Sequence, residues 1–110
     1  MDESKGVKEV DFKETVEMLN SGNHKFVWLG REPLDYIVGL LEIDQSKTEQ
    51  VGPQDIMSID KFKALEFKNC IFVCYHGNTS RVVAKMLKQR FNIESYSMKG
   101  GVTSVVGEIF

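Results

Sequence analysis

Short runs of consecutive apolar residues alternate along this chain with segments of helical periodicity. One run extends from Phe26 to Leu29 and another from Cys70 to Tyr75. A strand that is apolar at every position, rather than at every second one, is typical of a sheet covered on both faces. Strands that alternate with helices form βαβ units, which place their strands in parallel. The pattern therefore predicts an α/β fold with three layers, in which a mostly parallel central sheet carries helices on both faces.

Two segments have the clearest helical periodicity. The first extends from Asp11 to Asn20, and it begins with Asp11 as a predicted N-cap and Glu14 in the capping-box position three residues later. The second extends from Thr79 to Phe91, where apolar residues recur every four positions. A shorter helix is predicted over Leu34 to Val38.

The other elements are predicted from weaker signals. Ile93 to Met98 is a further strand, followed by a turn at Gly100-Gly101. Leu40 to Ile43 is predicted as a brief strand, and the polar stretch from Asp44 to Pro53 as a loop.

One more helix is predicted in the middle of the chain. Ser58 is its expected N-cap, and the helix extends over Ile59 to Glu66. Phe62 and Leu65 are expected to face the core.

Length and composition limit the number of domains and the kinds of partner. The chain has 110 residues, the size of one compact domain. The alternating charges of residues 1–9 predict a flexible tail before a single domain over residues 10–110. A formal net charge of -2 argues against nucleic acid, which needs a clustered basic surplus. The sequence also contains no apolar stretch near the roughly 18 residues of a membrane span and no signal peptide. We expect a cytoplasmic protein with neither nucleic acid nor membrane as a partner, and the oligomeric state stays open.

The two cysteines, Cys70 and Cys74, lie four residues apart on one predicted strand. At ~3.3 Å per residue, their Cα atoms would be separated by about 13 Å. A disulfide tolerates no more than about 7 Å between these atoms, so an intramolecular bridge is excluded if the strand is correct. A zinc site is also disfavoured, because Cys70, Cys74, His24 and His76 lack the paired Cys-x-x-Cys spacing. We predict no metal and no cofactor.

Cys74 comes where a buried strand ends and a loop leads into a helix. In an open parallel sheet, ligands bind at these carboxyl ends of the strands. Gly77 permits a sharp bend, so that backbone N–H groups and the helix N-terminus can hold an anion. Such a setting stabilises a thiolate, which is the nucleophilic form of cysteine. The simpler alternative is a small core residue at a strand end. The candidate site contains the nucleophile Cys74 and the substrate-binding residues Tyr75, His76, Gly77, Asn78, Thr79, Ser80 and Arg81.

The segment from Cys74 to Ser80, between an apolar strand and an amphipathic helix, resembles the active-site loop of rhodanese domains. It is particularly similar to the loop of small single-domain thiosulfate sulfurtransferases. Ile93 to Met98, followed by Lys99-Gly100-Gly101, is similar to the last strand and the Gly-Gly turn of that family. Phe26 to Pro33, with the Arg31-Glu32-Pro33 turn, resembles an early strand of the family.

Three positions depart from the family pattern. Leu29 stands where family members usually carry an aspartate, and Leu40 where they usually carry a histidine. The stretch from Val102 to Ser104 lacks the customary tryptophan after the Gly-Gly turn.

The resemblance implies a rhodanese-like fold and sulfurtransferase activity. The Cys74 thiolate would attack the outer sulfur of thiosulfate, expel sulfite and retain the sulfur as a persulfide. Cyanide or a protein dithiol such as thioredoxin would then accept that sulfur. The backbone amides from Tyr75 to Ser80 would bind the terminal sulfur or the sulfonate. For His76 and Arg81, electrostatic assistance and a plain surface position both remain open.

Two other functions fit parts of the same pattern. A cysteine-based phosphatase or arsenate reductase needs an arginine six residues after its cysteine, for bidentate contacts with the oxyanion. This chain has Ser80 at that position, and Arg81 comes one residue too late. A non-catalytic rhodanese-like binding or regulatory module is the other alternative. The departures from the family pattern favour it, and the presence of Cys74 argues against it.

Overall fold

A computed structural model describes residues 7–108 of the chain as a five-stranded parallel sheet covered by helices. The strands are β1 (Lys8–Val10), β2 (Phe26–Trp28), β3 (Thr48–Gln50), β4 (Ile71–Val73) and β5 (Tyr96–Met98). The α-helices are α1 (Phe12–Ser21), α2 (Leu34–Leu41), α3 (Pro53–Met57), α4 (Lys61–Ala64), α5 (Asn78–Phe91) and α6 (Thr103–Val106). Short 3-10 helices occupy Gln45–Lys47 and Leu65–Phe67.

The sheet has the strand order β1-β5-β4-β2-β3, and every neighbouring pair is parallel. This arrangement confirms the predicted α/β class. Strand β4 lies in the centre of the sheet, between β2 and β5. Cys74 directly follows β4, so the candidate nucleophile lies at the carboxyl edge of the central strand.

Alternate residues of the central strands enter two separate apolar cores, one on each face of the sheet. Phe72 belongs to the core that α3, α4 and α5 cover, whereas Ile71 and Val73 belong to the core that α1 and α2 cover. Since a strand directs successive side chains to opposite faces, both faces of β4 are buried. The uninterrupted apolar runs of the sequence have this physical cause, and the predicted three-layer arrangement is confirmed.

Helix α1 begins at the predicted cap. The Asp11 carboxylate accepts a hydrogen bond from the Glu14 backbone N–H at 2.8 Å, and the Glu14 side chain accepts one from the Asp11 N–H at 3.3 Å. Both donors would otherwise lack an intrahelical partner. The capping-box prediction is therefore confirmed.

Three predictions about edge segments are wrong. The flexible tail does not include Lys8 and Glu9, because both belong to β1 and pair with β5; residues 1–6 lie outside the described part of the chain. Leu40 to Ile43 is not a strand, since α2 continues to Leu41. The missing strand is instead β3, inside the stretch predicted as a loop. Both β1 and β3 are edge strands with mostly polar, partly exposed residues, so neither shows an apolar pattern.

The helix predicted from Ser58 is also different. Asp60 is the N-cap of α4, and the Ser58 hydroxyl instead donates a hydrogen bond to the Gln54 carbonyl. Phe62 is 85% exposed and Leu65 is 51% exposed, so neither faces the core. The buried residues of this segment are Ala64 and Phe67. Both pairs are three residues apart, so the apolar spacing alone did not distinguish the buried pair from the exposed one.

Within residues 7–108, none of the helices combines the length and apolar character needed to cross a lipid bilayer.

Candidate active site

The sulfur of Cys74 is surrounded by hydrogen-bond donors from its own loop. Its Sγ atom accepts hydrogen bonds from the Gly77 N–H at 3.2 Å and from the Ser80 N–H at 3.3 Å. The Ser80 Oγ lies 3.5 Å from the same sulfur. Cys74 is only 5% exposed, so these contacts are largely shielded from water. Donors aimed at a sulfur favour the thiolate over the thiol, because a negative acceptor binds them more strongly.

The bend that brings these donors together requires Gly77. Its φ of +90° lies in the left-handed region, and a Cβ atom there would come within 2.8 Å of the Gly100 nitrogen. Helix α5 begins at the next residue, so its first amides point back toward Cys74.

The carbonyl groups of the loop are held from the opposite side. The Cys74 carbonyl accepts a hydrogen bond from the Val102 N–H at 3.0 Å, and the Tyr75 carbonyl accepts one from the Thr103 N–H at 3.0 Å. These two contacts explain how the loop satisfies its acceptors while its amides face the sulfur. The segment after the Gly-Gly turn is thus a structural part of the site. The sequence signalled the turn itself, but it did not identify Val102 and Thr103.

Tyr75 joins the Cys74 loop to the turn that follows β2. Its hydroxyl oxygen accepts hydrogen bonds from the Arg31 N–H at 2.9 Å and from the Glu32 N–H at 3.3 Å. Its ring also meets the Trp28 ring edge-on, with the centroids 5.0 Å apart. Tyr75 therefore positions the Arg31-Glu32-Pro33 turn beside Cys74.

The same turn is held from two further directions. The Trp28 indole N–H donates to the Glu32 carbonyl at 2.9 Å. The Gln50 side-chain amide donates to the Gly30 carbonyl at 3.0 Å and to the Glu32 carbonyl at 2.8 Å. Gln50 was missed from the sequence, since it lies on the unpredicted edge strand β3.

We expect Tyr75→Phe to lower the free energy of unfolding by about 1–2 kcal/mol, because it leaves two backbone N–H groups of the turn without their acceptor. Urea denaturation of the purified protein measures this effect. Tyr36→Phe is the matched control: Tyr36 is 47% exposed, and we expect its loss of a hydroxyl to be nearly neutral. Equal stability of the two variants would contradict the role of the Tyr75 hydroxyl in holding the turn.

A cleft of about 720 Å³ opens over Cys74. It lies at the carboxyl edge of β2, β3 and β4, as expected for a ligand site in a parallel sheet. The residues that line it are Leu29, Gly30, Arg31, Gln50, Gly52, Pro53, Gln54, Asp55, Cys74, Tyr75 and Thr79. An Arg31 cation and an Asp55 anion therefore share one cleft with Cys74.

The predicted site residues fall into two groups. Cys74, Tyr75 and Thr79 line the cleft, and Gly77 and Ser80 contact the sulfur. Three others lie outside these contacts. Asn78 is exposed at the start of α5, and the half-exposed His76 and Arg81 side chains contact Glu108 and Glu9.

The contacts of His76 and Arg81 explain that placement. His76 Nδ1 lies 3.2 Å from the Thr103 hydroxyl and 3.7 Å from a Glu108 carboxylate oxygen. The Arg81 guanidinium lies 3.6 Å from the Glu9 carboxylate, and Arg81 is not among the residues that line the cleft. The structure thus directs the charge of Arg81 toward β1 and away from the cleft.

Cys70 has a different environment from Cys74, although both are free and buried. Its thiol lies 3.8 Å from the Glu66 carbonyl oxygen. Burial raises the pKa of the Cys70 thiol to about 11. Cys70 therefore remains a thiol at neutral pH and acts as a core residue.

Within the described residues, no three His, Cys, Asp or Glu side chains lie together in a way that would hold a metal ion.

Comparison with known proteins gives a consistent result for the fold. No protein-family model and no curated protein matches the sequence. Among solved structures, a rhodanese-related protein from Thermoplasma volcanium superposes with a TM-score of 0.65 and 20% identity, over 94% of each chain. A protein from Saccharomyces cerevisiae superposes with a TM-score of 0.64 and 15% identity, over 94% of this chain and 93% of that one.

A thiosulfate sulfurtransferase from Pseudomonas aeruginosa has a TM-score of 0.62 and 9% identity to this chain. The similarity covers 91% of this chain but only 18% of that longer protein. These neighbours share the parallel sheet with this chain, and they confirm the resemblance stated from the Cys74 loop at the level of the fold. The chain has the rhodanese fold.

Proposed function

We propose that this protein is a sulfurtransferase that carries a sulfane sulfur on Cys74 as a persulfide. The observation that carries the proposal is the pair of backbone amides, from Gly77 and Ser80, within 3.3 Å of the Cys74 sulfur. The open cleft above that sulfur gives a donor access to it. Cys70 lacks both features.

The first step is a displacement at sulfur. The Cys74 thiolate attacks the outer sulfur of thiosulfate and forms a new S–S bond. The S–S bond of thiosulfate breaks, and its electron pair leaves with sulfite. The amides that held the thiolate then hold the inner sulfur of the Cys74 persulfide, while the terminal sulfur points into the cleft.

The second step restores the enzyme. An acceptor nucleophile attacks the terminal sulfur, and the S–S bond to Cys74 breaks with its electron pair returning to the Cys74 sulfur. Cyanide would give thiocyanate in this step. A dithiol such as that of a thioredoxin-like protein would take the sulfur as a persulfide and then release it as sulfide while forming its own disulfide. Neither step needs a metal or a cofactor.

Thiosulfate fits the site as donor for two reasons. It is a small anion, and the cleft provides the Arg31 cation and the start of α5. A solved neighbour with this fold is a thiosulfate sulfurtransferase. A protein persulfide that reaches Cys74 would follow the same chemistry.

A phosphatase or arsenate reductase is disfavoured by the contacts of the loop. Ser80 is fully buried against the Cys74 sulfur, at the position where such an enzyme needs an arginine. Arg81 is paired with Glu9, so it is directed away from an oxyanion in the cleft. The non-catalytic module remains the alternative that the experiment below distinguishes.

Mass spectrometry of the intact protein tests the proposal directly. After treatment with thiosulfate and removal of the excess, we expect the wild type and Cys70→Ser to gain the mass of one sulfur atom, and Cys74→Ser to gain none. Cyanide should then restore the original mass and release an equal amount of thiocyanate. A sulfur gain in Cys74→Ser would contradict the assignment of the nucleophile. A wild type that gains no sulfur, although iodoacetamide alkylates Cys74, would favour the non-catalytic module.

A further inference from the structure

The Cys74 sulfur and two serine hydroxyl oxygens form a buried row of three polar atoms that leads into the sheet. The Ser80 Oγ lies 3.5 Å from the Cys74 Sγ, and the Ser97 Oγ lies 2.7 Å from the Ser80 Oγ. Ser80 is 0% exposed and Ser97 is 1% exposed. Ser97 belongs to β5, so it reaches the sulfur only through Ser80.

We propose that Ser97 is a positioning residue, which turns the Ser80 hydroxyl hydrogen toward the Cys74 sulfur and thereby stabilises the thiolate. This role rests on the proposed function, in which the Cys74 thiolate is the nucleophile. Ser97 makes no contact with the sulfur itself, so its effect is indirect.

The direction of the hydrogen bonds follows from counting donors and acceptors. Among the described residues, the Ser97 hydroxyl has Ser80 as its hydrogen-bond partner, and the Ser80 hydroxyl has Ser97 and Cys74. If Ser97 donates to Ser80, then Ser80 donates to the sulfur, and both hydroxyl hydrogens are used. In this direction the sulfur is the acceptor, a role that a thiolate fills much better than a thiol.

The opposite direction leaves a donor unpaired. A Cys74 thiol would donate to the Ser80 oxygen, Ser80 would donate to the Ser97 oxygen, and the Ser97 hydrogen would have no acceptor within the described part of the chain. An unpaired buried donor is costly, because it has lost its bond to water without a replacement. The count of hydrogens therefore favours the direction in which the sulfur accepts, and a thiolate accepts more strongly than a thiol.

A chain of donors also strengthens its last bond. When Ser97 donates to the Ser80 oxygen, it polarises the Ser80 O–H group and makes that group a better donor to the sulfur. With the amides of Gly77 and Ser80, the sulfur then has three donors from buried or part-buried groups.

The charged groups around Cys74 do not explain this arrangement. Arg31 and Asp55 line the cleft, His76 is held by Thr103 and Glu108, and Arg81 is paired with Glu9. Lys99, at the end of β5, is exposed. None of these side chains contacts Ser80 or Ser97 by a hydrogen bond, and all of them are retained in the variants proposed below.

The test is the pH profile for alkylation of Cys74 by iodoacetamide, measured in a Cys70→Ser background so that one thiol reacts. Alkylation reports the thiolate and does not require sulfur transfer, so its outcome is independent of the proposed catalytic activity. We expect Ser97→Ala to move the profile about half a pH unit upward, which is about a threefold lower rate at neutral pH. Ser80→Ala should move it further, by about one unit.

Ser95 provides the matched control. Its hydroxyl is buried just before β5, but it has no hydrogen-bond partner among the residues that the structure describes. Ser95→Ala therefore removes a buried hydroxyl from the same neighbourhood without changing the row, and its profile should match that of the background.

A double variant distinguishes an effect of Ser97 that passes through Ser80 from a general effect on packing. Because Ser97 acts through Ser80, adding Ser97→Ala to Ser80→Ala should produce no further shift. The proposal would be overturned by an unchanged profile in Ser97→Ala, by an equal shift in Ser95→Ala, or by additive shifts in the double variant. Thermal unfolding of each variant verifies that folded proteins are compared.

Discussion

Cys74→Ser is expected to abolish the formation of thiocyanate from thiosulfate and cyanide. The serine hydroxyl is not ionised at neutral pH, and this site contains no base in contact with the Cys74 side chain that would activate it. Loss of a covalent nucleophile typically costs about 10⁴-fold or more in rate. A steady-state assay that follows thiocyanate by its coloured iron complex measures the effect.

Cys70→Ser is the matched control for that experiment. The two cysteines are four residues apart and both are buried, but Cys70 lies beside the Glu66 carbonyl and remains a thiol because burial raises its pKa to about 11. Its replacement should leave turnover close to that of the wild type. Equal loss of activity in both variants would contradict the division of roles between the cysteines.

Gly101→Ala is expected to have the largest effect on stability. The φ of Gly101 is +64°, and a Cβ atom there would lie 2.4 Å from the Cys74 carbonyl oxygen and 2.5 Å from the Tyr75 carbonyl oxygen. These atoms are backbone and are already held by hydrogen bonds, so they cannot move aside without displacing the loop. We expect a loss of about 3–5 kcal/mol in the free energy of unfolding, from backbone strain and overpacking together. Urea denaturation measures it.

Gly107→Ala is the control for backbone strain without a steric clash. Gly107 also has a positive φ, of +86°, but among residues 7–108 no heavy atom beyond its chain neighbours lies within 4 Å of a Cβ built there. Gly107→Ala should cost about 1–3 kcal/mol, and it should retain the specific activity of its folded fraction. Gly101→Ala should lose activity even where it is folded, because the Cys74 loop is displaced. Equal losses of stability in the two variants would refute the predicted clash.

The sequence predicted the central part of the fold better than its edges. Phe26 to Leu29 and Cys70 to Tyr75 are apolar throughout because both faces of their strands are buried, and that pattern is visible without a structure. Thr48–Gln50 and Lys8–Val10 form edge strands whose pairing depends on their neighbours rather than on their own composition. Phe62 was assigned to the core from its apolar character, but Ala64 and Phe67 are the buried residues of that segment.

The candidate site was predicted only as far as it is local in sequence. Cys74 and the loop up to Ser80 are contiguous, so their spacing alone indicates an amide-lined turn. The contributions of Gln50, Ser97 and Val102 come from separate strands and turns, and each depends on sheet order and register. For Arg81, proximity in sequence was misleading. It directly follows the loop, and yet its side chain pairs with Glu9 of β1.

The hydrogen bonds from Val102 and Thr103 to the Cys74 loop have a consequence for biosynthesis. The ribosome synthesises β4, the loop and α5 before it reaches the residues that bind the carbonyls of Cys74 and Tyr75. The nascent chain therefore carries the cysteine for a time without its finished surroundings. Those carbonyls bind water at that stage, and the amides are not yet fixed on the sulfur. Cys74 acquires its complete environment only when β5 and the Gly100-Gly101 turn dock beside β4, so the surroundings of its sulfur depend on completion of the fold.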